Sequence, residues 1–110
     1  MLPSPHRLAA PLIRDISRTG RRVYEGSLQM VIKKNSLDIS RFAVVVAVSF
    51  DKRATARNRA RRLVRESLRK LLPDLPGGWD AIFFVRKGLP DSQGEVEVLV
   101  HNLCVDSFSH

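Results

Sequence analysis

Between Thr55 and Pro73 the chain runs seventeen residues without a glycine or a proline, enough for about five turns of helix. Thr55 is expected to cap its start and Pro73 to close its far end. On a helical wheel Ala56, Ala60, Leu63, Val64, Leu68, Leu71 and Leu72 share one half, while Asn58, Arg59, Arg61, Arg62, Arg65, Glu66, Arg69 and Lys70 hold the other. A rod of this kind has to seat its apolar half on another layer, and a sheet is the expected seat. Each large aliphatic buried there is worth about 1.5 to 3 kcal/mol. Replacing Leu68 by Asp is therefore predicted to unfold the domain.

The polar half is a concentration of positive charge. Lys52, Arg53, Arg57, Arg59, Arg61, Arg62, Arg65, Arg69 and Lys70 stand against Glu66 alone, a local net of +8 that equals the excess of all 110 residues. Outside that window 10 basic residues balance 10 acidic ones, so the charge belongs to one element and is not a general solubility device. Runs of this sort on helices are ordinarily solvated faces laced by pairs such as Arg62 to Glu66 to Lys70. Two features favour a docking surface instead. Arg57, Arg61, Arg65 and Arg69 are four apart and repel along the free helix, and seven of the nine cations are arginine, whose fork matches phosphate oxygens in pairs. A polyanion should offset that repulsion, and six such contacts to single-stranded or irregular RNA imply a log-log salt slope of about −4. A membrane surface fits less well, because the apolar half of the helix is needed for the core.

The rest of the chain reads as one small domain, with no repeat and no low-complexity linker. Leu2 to Arg7, with Pro3 and Pro5, is expected to be extended. Leu8, Leu12, Ile13 and Ile16 recur at helical spacing, and Gly20 stands where a C-cap glycine would end that helix. Leu28, Met30 and Ile32 alternate with Gln29, Val31 and Lys33 as in a strand with one buried face. Asn35 to Ser40 follows as a turn. Phe42 to Phe50, the longest apolar run, is expected to be a central strand. Ala81 to Val85 is another, entered through the Pro76-Gly77-Gly78 turn. Val96, Val98 and Val100 alternate like a strand, yet Val96, Leu99, Val100 and Leu103 also fit a helical stripe, so periodicity leaves that segment open. Residues 106–110 are expected to be a flexible tail on a domain of residues 1–105.

No stretch approaches the roughly 20 apolar residues that span a bilayer, and no signal peptide is expected at the N-terminus. Cys104 is the only cysteine; it forms no internal disulfide and suits a reducing, cytoplasmic setting. Independent catalysis would need a nucleophile with its base, paired carboxylates or a metal cluster. His6, His101 and His110 are scattered, and Gly77-Gly78 lacks the Lys and Ser or Thr of a phosphate-cradling loop. No catalytic or metal-ligating residue is expected. Asp51 is expected to serve a turn or cap.

The run Lys52-Arg53-Ala54-Thr55-Ala56-Arg57-Asn58-Arg59-Ala60-Arg61-Arg62-Leu63-Val64-Arg65-Glu66 resembles the bacterial ribonuclease P protein subunit. The Arg57-Asn58-Arg59 signature opening an arginine-rich helix carries the resemblance. Leu2-Pro3, Arg7-Leu8, Gly20 with Arg22, the valine strand before the motif and Asp80 to Arg86 after it extend the match over residues 1 to 100. The resemblance implies a single α+β domain of the ribosomal-protein-like type, with a mixed central sheet packed by helices and a left-handed βαβ crossover through the arginine helix. It makes the last segment a helix. It implies that the catalyst is a large RNA using Mg²⁺ to remove the 5′ leader of precursor tRNA, while the protein, binding no cofactor itself and expected to be monomeric when isolated, docks on that RNA. Lys52, Arg53, Arg57, Asn58, Arg59, Arg61, Arg62, Arg65 and Arg69 would then contact RNA. A leader-binding cleft would lie between the first helix and the sheet, where Ile13, Leu28 and Val31 replace aromatic residues usual in the family, and Val48 and Ser49 replace two lysines. Ile13, Tyr24, Leu28 and Phe50 are the candidates for leader contact. Two alternatives share the charge but not the activity: a DNA-binding module and a ribosome-associated structural protein.

Overall fold

The computed structural model describes residues 6–108, the side chain of Asp106 aside. Each periodic stretch closes into one element: α1 (Ala10–Thr19), β1 (Arg21–Glu25), β2 (Leu28–Lys34), β3 (Arg41–Val46), α2 (Ala54–Leu71), a 3-10 turn (Leu72–Asp74), β4 (Trp79–Val85) and α3 (Gln93–Ser107). The strands form one mixed sheet in the order β1-β2-β4-β3. β1 with β2 and β2 with β4 are antiparallel, whereas β3 and β4 are parallel. A parallel pair needs a long connection, and α2 is that connection.

The sheet is covered on both faces. Leu28, Met30 and Ile32 of β2 join Phe42, Val44, Phe83, Val85, Leu63, Val64, Leu68, Val96 and Val100 in the larger core, under α2 and α3. Val31 and Ile82 turn to the other face, where Leu8 and Ile16 close a smaller core under α1. This corrects the expectation of one buried face for β2. All of Leu28 to Ile32 is buried, because α1 covers the side assigned to solvent. Close packing of α1 also explains Gly20. Its backbone is extended, with φ −79°, so no left-handed cap is involved; a β-carbon there would lie 2.6 Å from Val31 Cγ1 and 2.8 Å from the Ile32 carbonyl oxygen.

Three further expectations change. Phe42 to Phe50 is not a central strand: β3 ends at Val46 and lies at the sheet edge, and Ala47 to Phe50 form a turn closed by Phe50 N donating to the Ala47 carbonyl at 3.0 Å. The open edge of β3 is shielded by a parallel bridge from Arg7 to Phe42, with Leu8 N donating to the Phe42 carbonyl at 2.8 Å. Thr55 is not the N-cap of α2; the helix begins at Ala54, and Arg53 in the cap position makes no side-chain cap bond. The tail expected from residue 106 is ordered through residue 108. Ser107 ends α3, and Phe108 is buried with its ring 6.2 Å from that of Phe42 and 5.8 Å from that of Trp79. Residues 1–5, on which most of the expectation for Leu2 to Arg7 falls, and residues 109–110 lie outside the described residues. β1 has one inward apolar residue, Val23, and was not foreseen. α3 resolves the open segment as a helix capped by Ser92, whose hydroxyl accepts from Glu95 N at 3.5 Å.

A buried polar cluster holds the turns at one end of the sheet. The Asp80 carboxylate accepts from Arg41 Nε at 2.9 Å, Arg41 Nη2 at 2.7 Å and Asn35 Nδ2 at 2.9 Å. The hydrogen bond from Arg41 to this carboxylate raises the arginine's pKa above its already high value.

Candidate nucleic-acid interface

The apolar half of α2 is down: Ala60, Leu63, Val64, Ser67 and Leu68 are buried. Ser67 is tolerated there because its hydroxyl donates to the Leu63 carbonyl at 2.8 Å. The opposite half faces outward as a ridge, and the geometry at its start is set by Asp51. Its carboxylate accepts from Arg53 N at 2.9 Å, Arg53 Nε at 3.1 Å and Arg53 Nη2 at 2.9 Å. These bonds, side chain first and backbone second, hold the carboxyl down at about 2. Arg57 Nη1 donates to the Asp51 and Lys52 carbonyls at 2.8 and 2.9 Å. Two of the expected RNA-binding residues thus also fasten the entry to the helix.

Several other cations have partners within the chain. Arg59 pairs with Asp91, Arg69 with Glu66, and Lys70 with Glu97 at 2.6 Å. Arg61 Nη1 donates to Asn58 Oδ1 at 2.8 Å. The repulsion along α2 is therefore offset in part by acids of the protein itself, which the sequence reading assigned wholly to an external anion. These pairs lie in solvent, which screens them and leaves them weak, so a phosphate can displace them. The side chains of Lys52 and Arg62 are exposed and make no hydrogen bond or ion pair with any described residue. Arg65 is half-buried beside Arg7, Leu8, Ile13 and Phe42 in a small recess of about 190 Å³. Burial, followed by the nearby Arg61 and Arg7 charges, lowers its pKa.

A second concave surface, of about 740 Å³, opens between α1, the α1-facing side of the sheet and the turn after β3. Arg22, Gln29, Phe50, Phe84, Arg86 and Lys87 line it, with no acidic residue among the lining positions. The four sequence candidates for leader contact separate here. Phe50 lines this groove. Tyr24, 63% exposed, stands opposite Gln29 on the same sheet face. Ile13 lies in the recess with Arg65. Leu28 is fully buried on the far face, in the core under α2 and α3, and is withdrawn as a contact residue. The residues that line the groove but were missed had a readable signal: Gln29 is the one amide in an apolar strand, and Arg86-Lys87 directly follow the β4 run.

Among the described residues no three His, Cys, Asp or Glu side chains gather as a metal ion would require. The described residues thus offer no donor set for a resident Mg²⁺, and no catalytic step is assigned to one on them. Among the described residues no helix is long and apolar enough to cross a membrane.

An α+β domain that buries one half of an arginine-rich crossover helix and presents the other beside an acid-free aromatic groove is a basic nucleic-acid-binding protein of the ribonucleoprotein type. Residues 2–101 match the family model described as Ribonuclease P. The chain is 32% identical over 92 residues to the ribonuclease P protein component of Microcystis aeruginosa, covering 79% of this chain and 77% of that one. It is 37% identical over 82 residues to the component from Thermotoga petrophila, covering 74% and 69%. The solved structure of the RNase P protein from Thermotoga maritima superposes with a TM-score of 0.81 at 29% identity, covering 89% of this chain and 94% of that one. The chain belongs to the bacterial ribonuclease P protein family, the protein component of the endoribonuclease that acts in 5′ processing of precursor tRNA. The DNA-binding and ribosome-associated alternatives give way to that assignment.

Proposed function

We propose that the outward ridge of α2, from Lys52 through Arg69, docks on the folded ribonuclease P RNA, and that the groove between α1 and the sheet holds the 5′ leader of precursor tRNA. The observation that carries this reading is the division of α2 itself, with Leu63, Val64 and Leu68 buried and the arginines left outside. The partners that Arg53, Arg57, Arg59, Arg61 and Arg69 have within the chain leave these guanidiniums on the outward half, open to exchange. Arg62, with no intrachain partner among the described residues, supplies a fork for phosphate, and Arg59 and Arg69 exchange exposed carboxylates for phosphates at small cost. Asn58 orients Arg61 through its carbonyl and keeps its amide hydrogens for phosphate or ribose.

In the groove Arg22 and Lys87 attract the leader backbone, while Phe50 and Phe84 offer ring faces, each stacked base being worth about 1 to 3 kcal/mol. Chemistry stays with Mg²⁺ held by the RNA, which can activate water and stabilise the leaving oxygen. The protein's part is electrostatic: neutralising phosphates lowers the divalent concentration the RNA needs to fold and to hold substrate. The chain added to a bacterial ribonuclease P RNA and precursor tRNA at limiting Mg²⁺ should restore leader removal. No restoration with any such RNA, or leader release by the protein alone, would overturn this reading.

A further inference from the structure

Gln29 is an unusual residue to bury. It is 3% exposed, the second residue of β2, between Leu28 and Met30 at 0% each. Its side chain points to the α1 side and forms part of the groove floor. Its Oε1 accepts a hydrogen bond from Arg86 Nη2, and its Nε2 hydrogens have no partner among the described residues. An amide held this way costs burial of a polar group that a valine or leucine would avoid, so the pair calls for a reason beyond packing.

Arg86 supplies the complement. It is the first residue past β4, its backbone N donates to the Ser27 carbonyl at 2.9 Å, and its side chain is otherwise exposed in the groove. A free arginine there would sample many rotamers. Bonded to a buried amide, it keeps one orientation and still has most of its five N–H donors. Next to it stand the Gln29 amide hydrogens, with the Phe50 and Phe84 rings among the groove walls. The groove therefore presents aromatic faces beside a fixed cluster of hydrogen-bond donors and no carboxylate.

We propose that Arg86, positioned by Gln29, reads a guanine in the bound 5′ leader, an inference that rests on the groove being the leader site. Guanine shows adjacent O6 and N7 acceptors that match an arginine fork, whereas adenine and cytosine turn an amino group toward the same donors. Uracil offers a single carbonyl on that edge. Arg22 and Lys87, in contrast, act on the backbone and give no preference among bases. Arg86 is the contact residue and Gln29 the positioning residue.

The holoenzyme reconstituted from this chain and a bacterial ribonuclease P RNA is the system to test. Binding is measured for precursor tRNAs whose leaders carry G, A, C or U at each position in turn, and for the same tRNA without a leader. At one leader position guanosine should bind about tenfold tighter than adenosine or cytidine, the low end for a bidentate pair in an open site. Arg86→Lys keeps the charge and removes the fork; it should erase that preference, bringing the guanosine leader down to the affinity of the others. Gln29→Leu should flatten the profile in the same way, and Gln29→Glu, which still accepts from Arg86, should restore it. A profile without preference in the wild type, or one that survives Arg86→Lys, overturns the inference. If leader-bearing and leaderless tRNA bind alike, the leader site itself is misplaced; if they differ but the profile is flat, only the base-reading role falls.

Discussion

Arg59 and Arg62 are both exposed on α2, yet one is held by Asp91 and the other has no such partner among the described residues. The difference gives opposite expectations. Arg62→Ala should weaken binding to ribonuclease P RNA by about tenfold, in line with loss of a charge-assisted pair, with no change in melting temperature. Asp91→Asn should instead strengthen binding by up to about fivefold, because an exposed pair worth at most about 1 kcal/mol no longer competes. Filter binding and thermal melting on both variants check this, and a matching loss of stability in Arg62→Ala would move that residue into structure. Cys104 answers a different question. Burial pushes its thiol from 9.0 up to about 12. A raised thiol pKa means that the contribution is complete below the unfolded value of 9.0 and is lost as pH climbs toward 12. At pH 8 the native thiol should resist a disulfide reagent until the chain unfolds; immediate reaction would show that the core under α3 is open. Asp51 runs the other way: with its carboxyl held at about 2 against an ordinary 3.8, its hold on Arg53 is complete above pH 4 and fades as pH falls to about 2.

At the scale of elements, α2 was legible in all but its cap because one segment carried both signals at once, an uninterrupted helical stripe and a segregated charge. β2 was legible as a strand but not as a doubly covered one, since Gln29 and Lys33 gave its second face a polar look while Val31 and Ile82 were already part of a core closed by α1. The apolar run Phe42 to Phe50 misled for a physical reason. Hydrophobicity marks what can be buried, but Val48 is 63% exposed in the turn after β3, where the chain reverses to begin α2. β1 carried no period to read, because its pairing to β2 through Arg21–Ile32 and Val23–Met30 is a property of the hairpin and not of its own five residues. α3 needed its Ser92 cap and the buried stripe Val96, Val100, Leu103 to resolve it. The packing of α1 on β2 yields its own prediction. Gly20→Ala should destabilise the domain by about 1 to 3 kcal/mol, the ordinary cost of overpacking, because the added carbon meets Val31 and two carbonyl oxygens within 3 Å; denaturant melting at unchanged m-value reads it out. An unchanged midpoint would contradict close packing of α1 on the sheet at this residue.

At the scale of the whole molecule, the sheet separates the two surfaces. α2 and its arginines lie on one side, the groove with Phe50, Phe84, Gln29 and Arg86 on the other, and the turn from Ala47 to Asp51 joins them. Phe50 lines that groove and also a cleft beside Arg53, Arg59 and Arg62, so an RNA on the ridge and a strand in the groove would meet at this residue. The sequence shows which residues share the outward half of α2 and shows the groove only at Phe50, since a groove is made by strand parity and register, which a linear chain does not display. The claim on which the rest depends is that the ridge binds RNA through phosphates, and its most direct measurement is the salt dependence of binding to ribonuclease P RNA. The wild-type chain should show a log-log slope of about −4, and replacing Arg61 and Arg62 together by Ala should flatten it by about 1.4 while the melting temperature stays put. A slope near zero, or one that both substitutions leave unchanged, would contradict it.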